Sequence, residues 1–265
     1  MEDLKVTLCQ SELHWQSIDA NLAMFEEKLW ALNPVSDIIV LPEMFNTGFT
    51  MQAHAFSEPM NGKTHRWMKK MAEQFKTIVT GSLIIKEKDN YYNRLIWVKK
   101  DGHSLFYDKR HLFRMSEEQN RFSAGRNIFI GEIKDWKIRP FICYDLRFPV
   151  WIRNKYQTEK NSFDYDVSIF VANWPASRID VWSTLLKSRA IENSSYCIGL
   201  NRIGNDGLGT SYNGYSGVCD FKGNNIYSLG EDELFKTVTL SYEQLMEYRQ
   251  KFPVQFDADN FNIVY

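Results

Sequence analysis

The chain of 265 residues is 44% hydrophobic and 15% aromatic, which is enough apolar material for a large buried core. Its 32 basic and 33 acidic residues leave a formal net charge of -1, so it lacks the basic excess that attracts the phosphates of a nucleic acid. Because no apolar run approaches the ~20 residues of a membrane-spanning helix and residues 1–5 (MEDLK) do not resemble a secretory signal, we expect a cytoplasmic protein without membrane or nucleic-acid partners.

The N-terminal part of the chain predicts alternating strands and helices. Ser17 is expected to cap a helix whose apolar residues recur at spacings of three and four, namely Leu22, Phe25, Leu29 and Leu32. A buried strand is predicted over residues 37–41, a second helix after Thr64, and another strand over residues 77–85. Together with the strand-like run at residues 6–9, the predicted order is β-α-β-α-β.

The rest of the chain mixes hairpin and crossover connections. Residues 91–98 and 104–107, joined by a turn at 100–102, predict an antiparallel hairpin. Further on, strands are predicted at 137–142, 166–171 and 196–200, with a helix at about 180–193. This pattern favours an α/β fold with a mixed sheet under helical cover, arranged as two sheets face to face in one domain spanning residues 1–265.

Three chemically useful residues end apolar runs that are far apart in sequence: Glu43, Lys109 and Cys143. Residues that end separate strands of a buried sheet can meet at the same edge. In that case Lys109 is expected to lower the pKa of the Cys143 thiol, which attacks a carbonyl or nitrile carbon. Glu43 then serves as general base and later as acid, while Lys109 and the backbone N–H of Tyr144 stabilise the oxyanion.

Each of these residues also has an ordinary structural interpretation. A glutamate after a strand is often solvated, a lysine beside Arg110 is often surface charge, and a cysteine is often a small buried hydrophobe. The other cysteines, Cys9, Cys197 and Cys219, form no close pairs, and the histidines lack metal-ligand spacing. The predicted chemistry needs neither a metal nor a cofactor.

The segments around the three residues resemble the nitrilase superfamily of carbon-nitrogen hydrolases. The resembling segments are 41–45 (LPEMF), 108–113 (DKRHLF), 122–125 (FSAG), 142–149 (ICYDLRFP), 172–175 (ANWP), 189–193 (RAIEN) and 201–204 (NRIG). The resemblance implies a four-layer α-β-β-α sandwich and a Glu43-Lys109-Cys143 triad. It also implies that Glu118 orients the lysine and the substrate, and that the protein pairs through a helical face into a homodimer or a higher homo-oligomer.

Within the superfamily, other segments resemble the omega-amidase branch. They are 44–51 (MFNTGFTM), 111–115 (HLFRM), 251–253 (KFP) and 257–259 (DAD). Members of that branch hydrolyse the terminal amide of 2-oxo dicarboxylic monoamides such as 2-oxoglutaramate and 2-oxosuccinamate, through a cysteine thioester. The resemblance therefore implies a small-molecule amide as substrate.

Such a substrate carries a carboxylate away from the scissile amide, and a guanidinium suits it better than an ammonium. The candidates for this contact are Arg114, Arg178 and Arg202, with Trp174 as a pocket wall. For each arginine alone, a structural ion pair or a surface position is the ordinary interpretation. Arg147 is expected to pair with Asp145 or another acid and brace the turn after the cysteine.

Three other functions fit parts of the same pattern. A related hydrolase could act on another small amide, a carbamoyl amine or a nitrile, because those relatives share the triad. A non-catalytic scaffold could keep the fold, although Glu43, Lys109, Cys143 and Glu118 are all present. A cysteine acyltransferase would need a second acceptor site, which the sequence does not locate.

Overall fold

The computed structural model describes residues 2–264. Its strands are β1 Leu4–Gln10, β2 Ile38–Val40, β3 Ile78–Glu87, β4 Asn90–Val98, β5 Ser104–Asp108, β6 Gly131–Ile133, β7 Trp136–Ile142, β8 Tyr156–Gln157, β9 Ser162–Phe163, β10 Val167–Ala172, β11 Tyr196–Asn201, β12 Ile203–Asn205, β13 Ser211–Asn213, β14 Gly217–Cys219, β15 Asn225–Ser228 and β16 Leu234–Leu240. Its α-helices are α1 Ile18–Leu32, α2 Ala53–Phe56, α3 Lys63–Gln74, α4 Pro149–Ile152, α5 Ile179–Asn193 and α6 Tyr242–Lys251.

Two six-stranded sheets form the centre of the molecule. The first has the order β16-β1-β2-β3-β4-β5 and the second the order β15-β14-β11-β10-β7-β6. Strands β1, β2 and β3 are parallel, as are β7, β10 and β11, while the outer strands of both sheets pair antiparallel. The parallel strands are therefore central, and their carboxyl ends open on one edge of each sheet.

The alternation of side chains along the strands builds the layers. In β2, Ile38 and Val40 belong to the core that also holds Phe141 and Ile169 of the second sheet. Ile39, between them, packs on the other face of its sheet with residues of α1 and α3. Helix α5 packs on β11 and β14 of the second sheet. These layers form the predicted α-β-β-α sandwich, which is confirmed.

The long elements agree with the sequence patterns. Helices α1, α3 and α5 and the β4–β5 hairpin lie where they were predicted. Ser17 is a correction, because its side chain makes no capping hydrogen bond to α1. The loop before the helix is tied instead by Asn21, whose side chain accepts from His14 N and donates to His14 O, both at 2.8 Å.

None of the helices within residues 2–264 is both long enough and apolar enough to cross a bilayer.

Candidate active site

The candidate catalytic residues follow the carboxyl ends of strands in both sheets. Glu43 comes after β2 and Lys109 after β5, in the first sheet, whereas Cys143 follows β7 and Asn173 follows β10, in the second. Since the two sheets pack face to face, these strand ends converge on a single place at their edge. The sequence folds this way because each apolar run ends in a polar residue where the strand leaves the core.

Lys109 lies between two carboxylates inside the protein. Its Nζ donates to Glu43 Oε1 at 2.9 Å and to Glu118 Oε1 and Oε2 at 3.1 and 3.0 Å. All three side chains are buried. Burial favours the neutral amine, but the charges of Glu118 and Glu43 outweigh it and raise the pKa of Lys109, which keeps the ammonium charged.

Glu43 is held by several donors besides Lys109. Asn93 Nδ2 donates to its Oε1 at 2.8 Å, and the backbone N–H of Asn173 donates to its Oε2 at 2.8 Å. The side-chain amide of Asn173 also donates to the backbone carbonyl of Glu43 at 2.6 Å. Glu43 further hydrogen-bonds the thiol of Cys143. A carboxylate fixed by this many donors presents one defined face to the sulfur.

The electrostatics of Cys143 differ from the expectation. Burial and the negative charge of Glu43 raise the pKa of the thiol well above its ordinary value, and the opposing effect of Lys109 is smaller. The predicted lowering of this pKa is therefore wrong, because two carboxylates surround the single ammonium. A neutral thiol hydrogen-bonded to Glu43 requires that Glu43 take the proton during attack.

The turn that begins with Cys143 is braced from below by Asp145. Cys143 has a φ of 44°, in the left-handed region that a non-glycine residue rarely adopts. Asp145 accepts hydrogen bonds from Ile142 N at 3.1 Å, from His111 N at 3.0 Å and from Tyr107 OH at 2.8 Å. His111 Nδ1 lies 2.8 Å from the same carboxylate. These bonds hold the strained turn in place.

Arg147 does not take the role expected of it in this turn. The Asp145 carboxylate is buried and its oxygens are already engaged, so the predicted pairing with Arg147 is absent from the described residues. The Arg147 guanidinium lies over the ring of Trp174, 5.1 Å from its centroid, and faces the cavity described next.

A cavity of about 250 Å³ opens in front of Cys143. Its walls are mostly apolar and aromatic, and three cations reach it, Lys109, Arg147 and Arg178. Its lining residues are Phe49, Met51, Lys109, Phe113, Ser116, Cys143, Tyr144, Arg147, Asn173, Trp174, Pro175, Arg178, Asp206, Leu208, Thr210 and Tyr212. Asp206, the acid in this lining, accepts from Leu208 N and Thr210 N at 2.9 Å each, so it stabilises its own turn.

The predicted substrate-binding residues divide into two groups. Trp174 and Arg178 line the cavity, as does Tyr144, whose backbone N–H is predicted to stabilise the oxyanion. Arg114 is exposed and does not line it, because the 3-10 turn that it begins directs it to solvent. Arg202 is buried elsewhere, since its guanidinium donates to the backbone carbonyls of Ile203 and Asn205 at 3.0 Å each. The structure thus keeps one of the three candidate arginines at the cavity.

Sequence reasoning missed three residues of this site. Arg147 was expected to brace the turn, although its position four residues after Cys143 could have suggested the cavity. Asn173 lies within the segment 172–175, which by itself assigns it no role. Asn93 lies within strand β4, and no sequence signal separates it from an ordinary strand residue.

No group of three or more His, Cys, Asp or Glu side chains in the described part of the chain is arranged to hold a metal ion.

Known proteins are similar to this chain over most of its length. The profile described as Carbon-nitrogen hydrolase matches residues 5–250. Omega-amidase YafV of Escherichia coli (strain K12) is 42% identical over 264 residues, covering 99% of this chain and 100% of that protein. The 2-oxoglutaramate amidase of Bacillus subtilis (strain 168) is 31% identical over 222 residues, or 83% of each chain.

A solved structure agrees with these matches. XC1258 from Xanthomonas campestris, a CN-hydrolase superfamily protein with an arsenic adduct in its active site, is 40% identical, has a TM-score of 0.97 and covers 100% of both chains. With the profile and the relatives matching almost end to end, the chain belongs to the carbon-nitrogen hydrolase family.

Proposed function

We propose that this protein is an omega-amidase that hydrolyses the terminal amide of small 2-oxo dicarboxylic monoamides, such as 2-oxoglutaramate and 2-oxosuccinamate. The observation that carries the proposal is the pair of arginines in the cavity of Cys143. Arg147 and Arg178 face it, and neither forms an ion pair with a carboxylate of residues 2–264. A half-buried guanidinium that no protein carboxylate neutralises favours an anionic ligand.

The relatives support the same substrate class. Proteins 42% and 31% identical to this chain carry the names omega-amidase and 2-oxoglutaramate amidase. A cavity of about 250 Å³ also suits a small substrate.

In the proposed first step, Cys143 Sγ attacks the amide carbon while its proton passes to Glu43. The carbonyl oxygen becomes an oxyanion that accepts hydrogen bonds from Lys109 Nζ and the backbone N–H of Tyr144. Because one proton moves from sulfur to carboxylate and one negative charge moves to the oxygen, the net charge of the buried cluster does not change. Lys109 remains beside a negative charge throughout.

The second step releases ammonia. Glu43 returns its proton to the amide nitrogen, the C–N bond breaks, and a thioester to Cys143 remains. Water then gives a proton to Glu43 and attacks the thioester carbon. The S–C bond breaks, Glu43 reprotonates the sulfur, and the dicarboxylic acid leaves.

Ammonia release measures this proposal directly. Wild-type protein with 2-oxoglutaramate or 2-oxosuccinamate should release ammonia, and Cys143→Ala should release none above the background rate. Cys219→Ala, which changes a buried cysteine of β14 outside the cavity, is the matched control and should keep wild-type turnover. No release by wild type, or full release by Cys143→Ala, would remove the proposal.

A substrate panel separates this function from those of related hydrolases. Butyramide has the amide without the distal carboxylate, and a nitrile or a carbamoyl amine of similar size replaces the scissile group. If the protein turns over any of these compounds faster than the 2-oxo monoamides, the result would favour a related hydrolase that acts on that compound.

Three further expectations remain proposals: one domain over residues 1–265, a cytoplasmic location, and a homodimer or higher homo-oligomer. Light scattering of the purified protein tests the last of them.

A further inference from the structure

Asn93 lies behind the candidate catalytic cluster and has no assigned role. It belongs to β4, where it pairs with Ile84 of β3, and its exposed fraction is 0%. Asn93 does not line the cavity, so it is not positioned to touch a substrate. A fully buried amide must place its donors and acceptor on partners, because an unpaired buried polar group is costly.

The donors of this amide are directed at both carboxylates. Asn93 Nδ2 donates to Glu43 Oε1 at 2.8 Å and approaches Glu118 Oε1 at 3.4 Å. The backbone carbonyl of Asn93 accepts from Lys109 N at 2.9 Å. One residue therefore contacts the proposed base, the second glutamate and the backbone of the lysine between them.

The acceptor of the amide is fixed by a second hydrogen-bond chain. Ser82 Oγ donates to Asn93 Oδ1 at 2.8 Å and accepts from the backbone N–H of Met44 at 2.9 Å. Since the hydroxyl proton is committed to Oδ1, the NH₂ group must face the carboxylates. Met44 directly follows Glu43, so the same chain also fixes the backbone that carries the base.

We propose that Asn93 is a positioning residue that fixes the Glu43 carboxylate and aims it at Cys143, an inference that rests on the proposed function. A neutral donor suits this task better than a cation. The cluster already has one ammonium for two carboxylates, and a second positive charge would compete with Lys109 for both. An amide stabilises the anions without adding charge.

The test compares two variants of this residue. Asn93→Leu removes the donors with little change in volume, and kcat should fall about 10- to 100-fold, the range expected for losing hydrogen bonds to charged groups. KM should change little, because Asn93 does not line the cavity. Asn154→Leu is the matched control, since Asn154 is another buried asparagine with several hydrogen bonds, but at a distance from this cluster.

Asn93→Asp adds a readout that a merely structural role would not move. An ionised carboxylate at this position cannot donate and repels its two neighbours, whereas a protonated one can donate to one of them. The kcat of Asn93→Asp relative to wild type should therefore fall as the pH rises.

The outcomes are separable from those of the proposed function. Every variant is compared with wild type on whichever amide the wild type hydrolyses. If that amide is not a 2-oxo monoamide, the substrate assignment fails, but the comparison still tests the role of Asn93. A folded Asn93→Leu with kcat within threefold of wild type, or kcat equal to that of Asn154→Leu, would overturn this inference. If Asn93→Leu does not fold, a flat pH ratio for Asn93→Asp overturns it instead.

Discussion

Removing a guanidinium from the cavity should weaken recognition of the substrate carboxylate without impairing the chemical step. Arg147→Gln and Arg178→Gln each keep a polar side chain of similar reach and delete one positive charge. In the structure both guanidiniums face aromatic rings, at 5.1 Å from the Trp174 centroid and 5.5 Å from the Phe113 centroid. The rings hold the cations in place, so each is preorganised for an anion.

The size of the effect follows from the exposure of these arginines. A hydrogen-bonded pair with a charged group contributes ~1.5–3 kcal/mol. Both side chains are partly exposed, which favours the lower end of the range. A loss of about 1.4 kcal/mol is a tenfold fall in kcat/KM. If the two sites act independently, kcat/KM should therefore fall about tenfold in each single variant and about 100-fold in the double variant.

The assay is steady-state ammonia release with two substrates. The loss should appear with 2-oxoglutaramate, mainly as a higher KM, and should be absent with butyramide, which has no carboxylate. Arg114→Gln is the control, because Arg114 is exposed and outside the cavity. Equal losses with both substrates, or none with 2-oxoglutaramate, would refute the assignment of these arginines.

Other consequences concern charge, protonation and the nucleophile turn. Lys109→Met leaves Glu43 and Glu118 facing each other without a cation and should cost about 3–5 kcal/mol in free energy of unfolding, measured by chemical denaturation. The double variant Lys109→Met/Glu118→Gln should regain most of that stability, but it should release no ammonia. Because the pKa of Cys143 is raised, its alkylation by iodoacetamide, followed by intact mass, should keep accelerating as the pH rises through the alkaline range. Asp145→Ala removes a shared acceptor under the turn and should cost about 2–4 kcal/mol together with most of the activity.

Controls for these variants come from the surface. Lys63→Met alters an exposed lysine that pairs with Asp19 and should leave stability nearly unchanged. Asp101→Ala changes an exposed aspartate in a turn. It is the control for Asp145→Ala and should leave stability nearly unchanged. Unchanged stability of Lys109→Met, an alkylation rate that levels off below neutral pH, or a fully active Asp145→Ala would contradict the corresponding argument.

Local sequence patterns predicted strands and where they end, and the resemblance to the nitrilase superfamily implied the four layers. Apolar runs such as residues 37–41 locate strands, and a polar residue at the end of a run locates the edge of a sheet. Strands β14, β15 and β16 were not predicted, because their alternation is weak and they are stabilised by pairing with distant strands.

Details of the site that depend on contacts between distant residues were beyond local patterns. The pKa of Cys143 depends on the sum of three charges whose distances only the fold sets. Arg147 faces the cavity and Arg202 does not, the reverse of the prediction, because burial and the availability of backbone carbonyls decide where a guanidinium goes. Asn93 gained its role from the side chains that the fold places around it.

The central claim is that the substrate acyl group passes through the sulfur of Cys143. Rapid acid quenching of the enzyme with 2-oxoglutaramate, followed by intact mass and peptide mapping, tests this most directly. We expect a transient adduct on the peptide that carries Cys143, with a mass equal to the substrate less ammonia, which disappears as the acid product forms. Turnover with no such adduct at any quench time, or an adduct confined to another cysteine, would contradict the account.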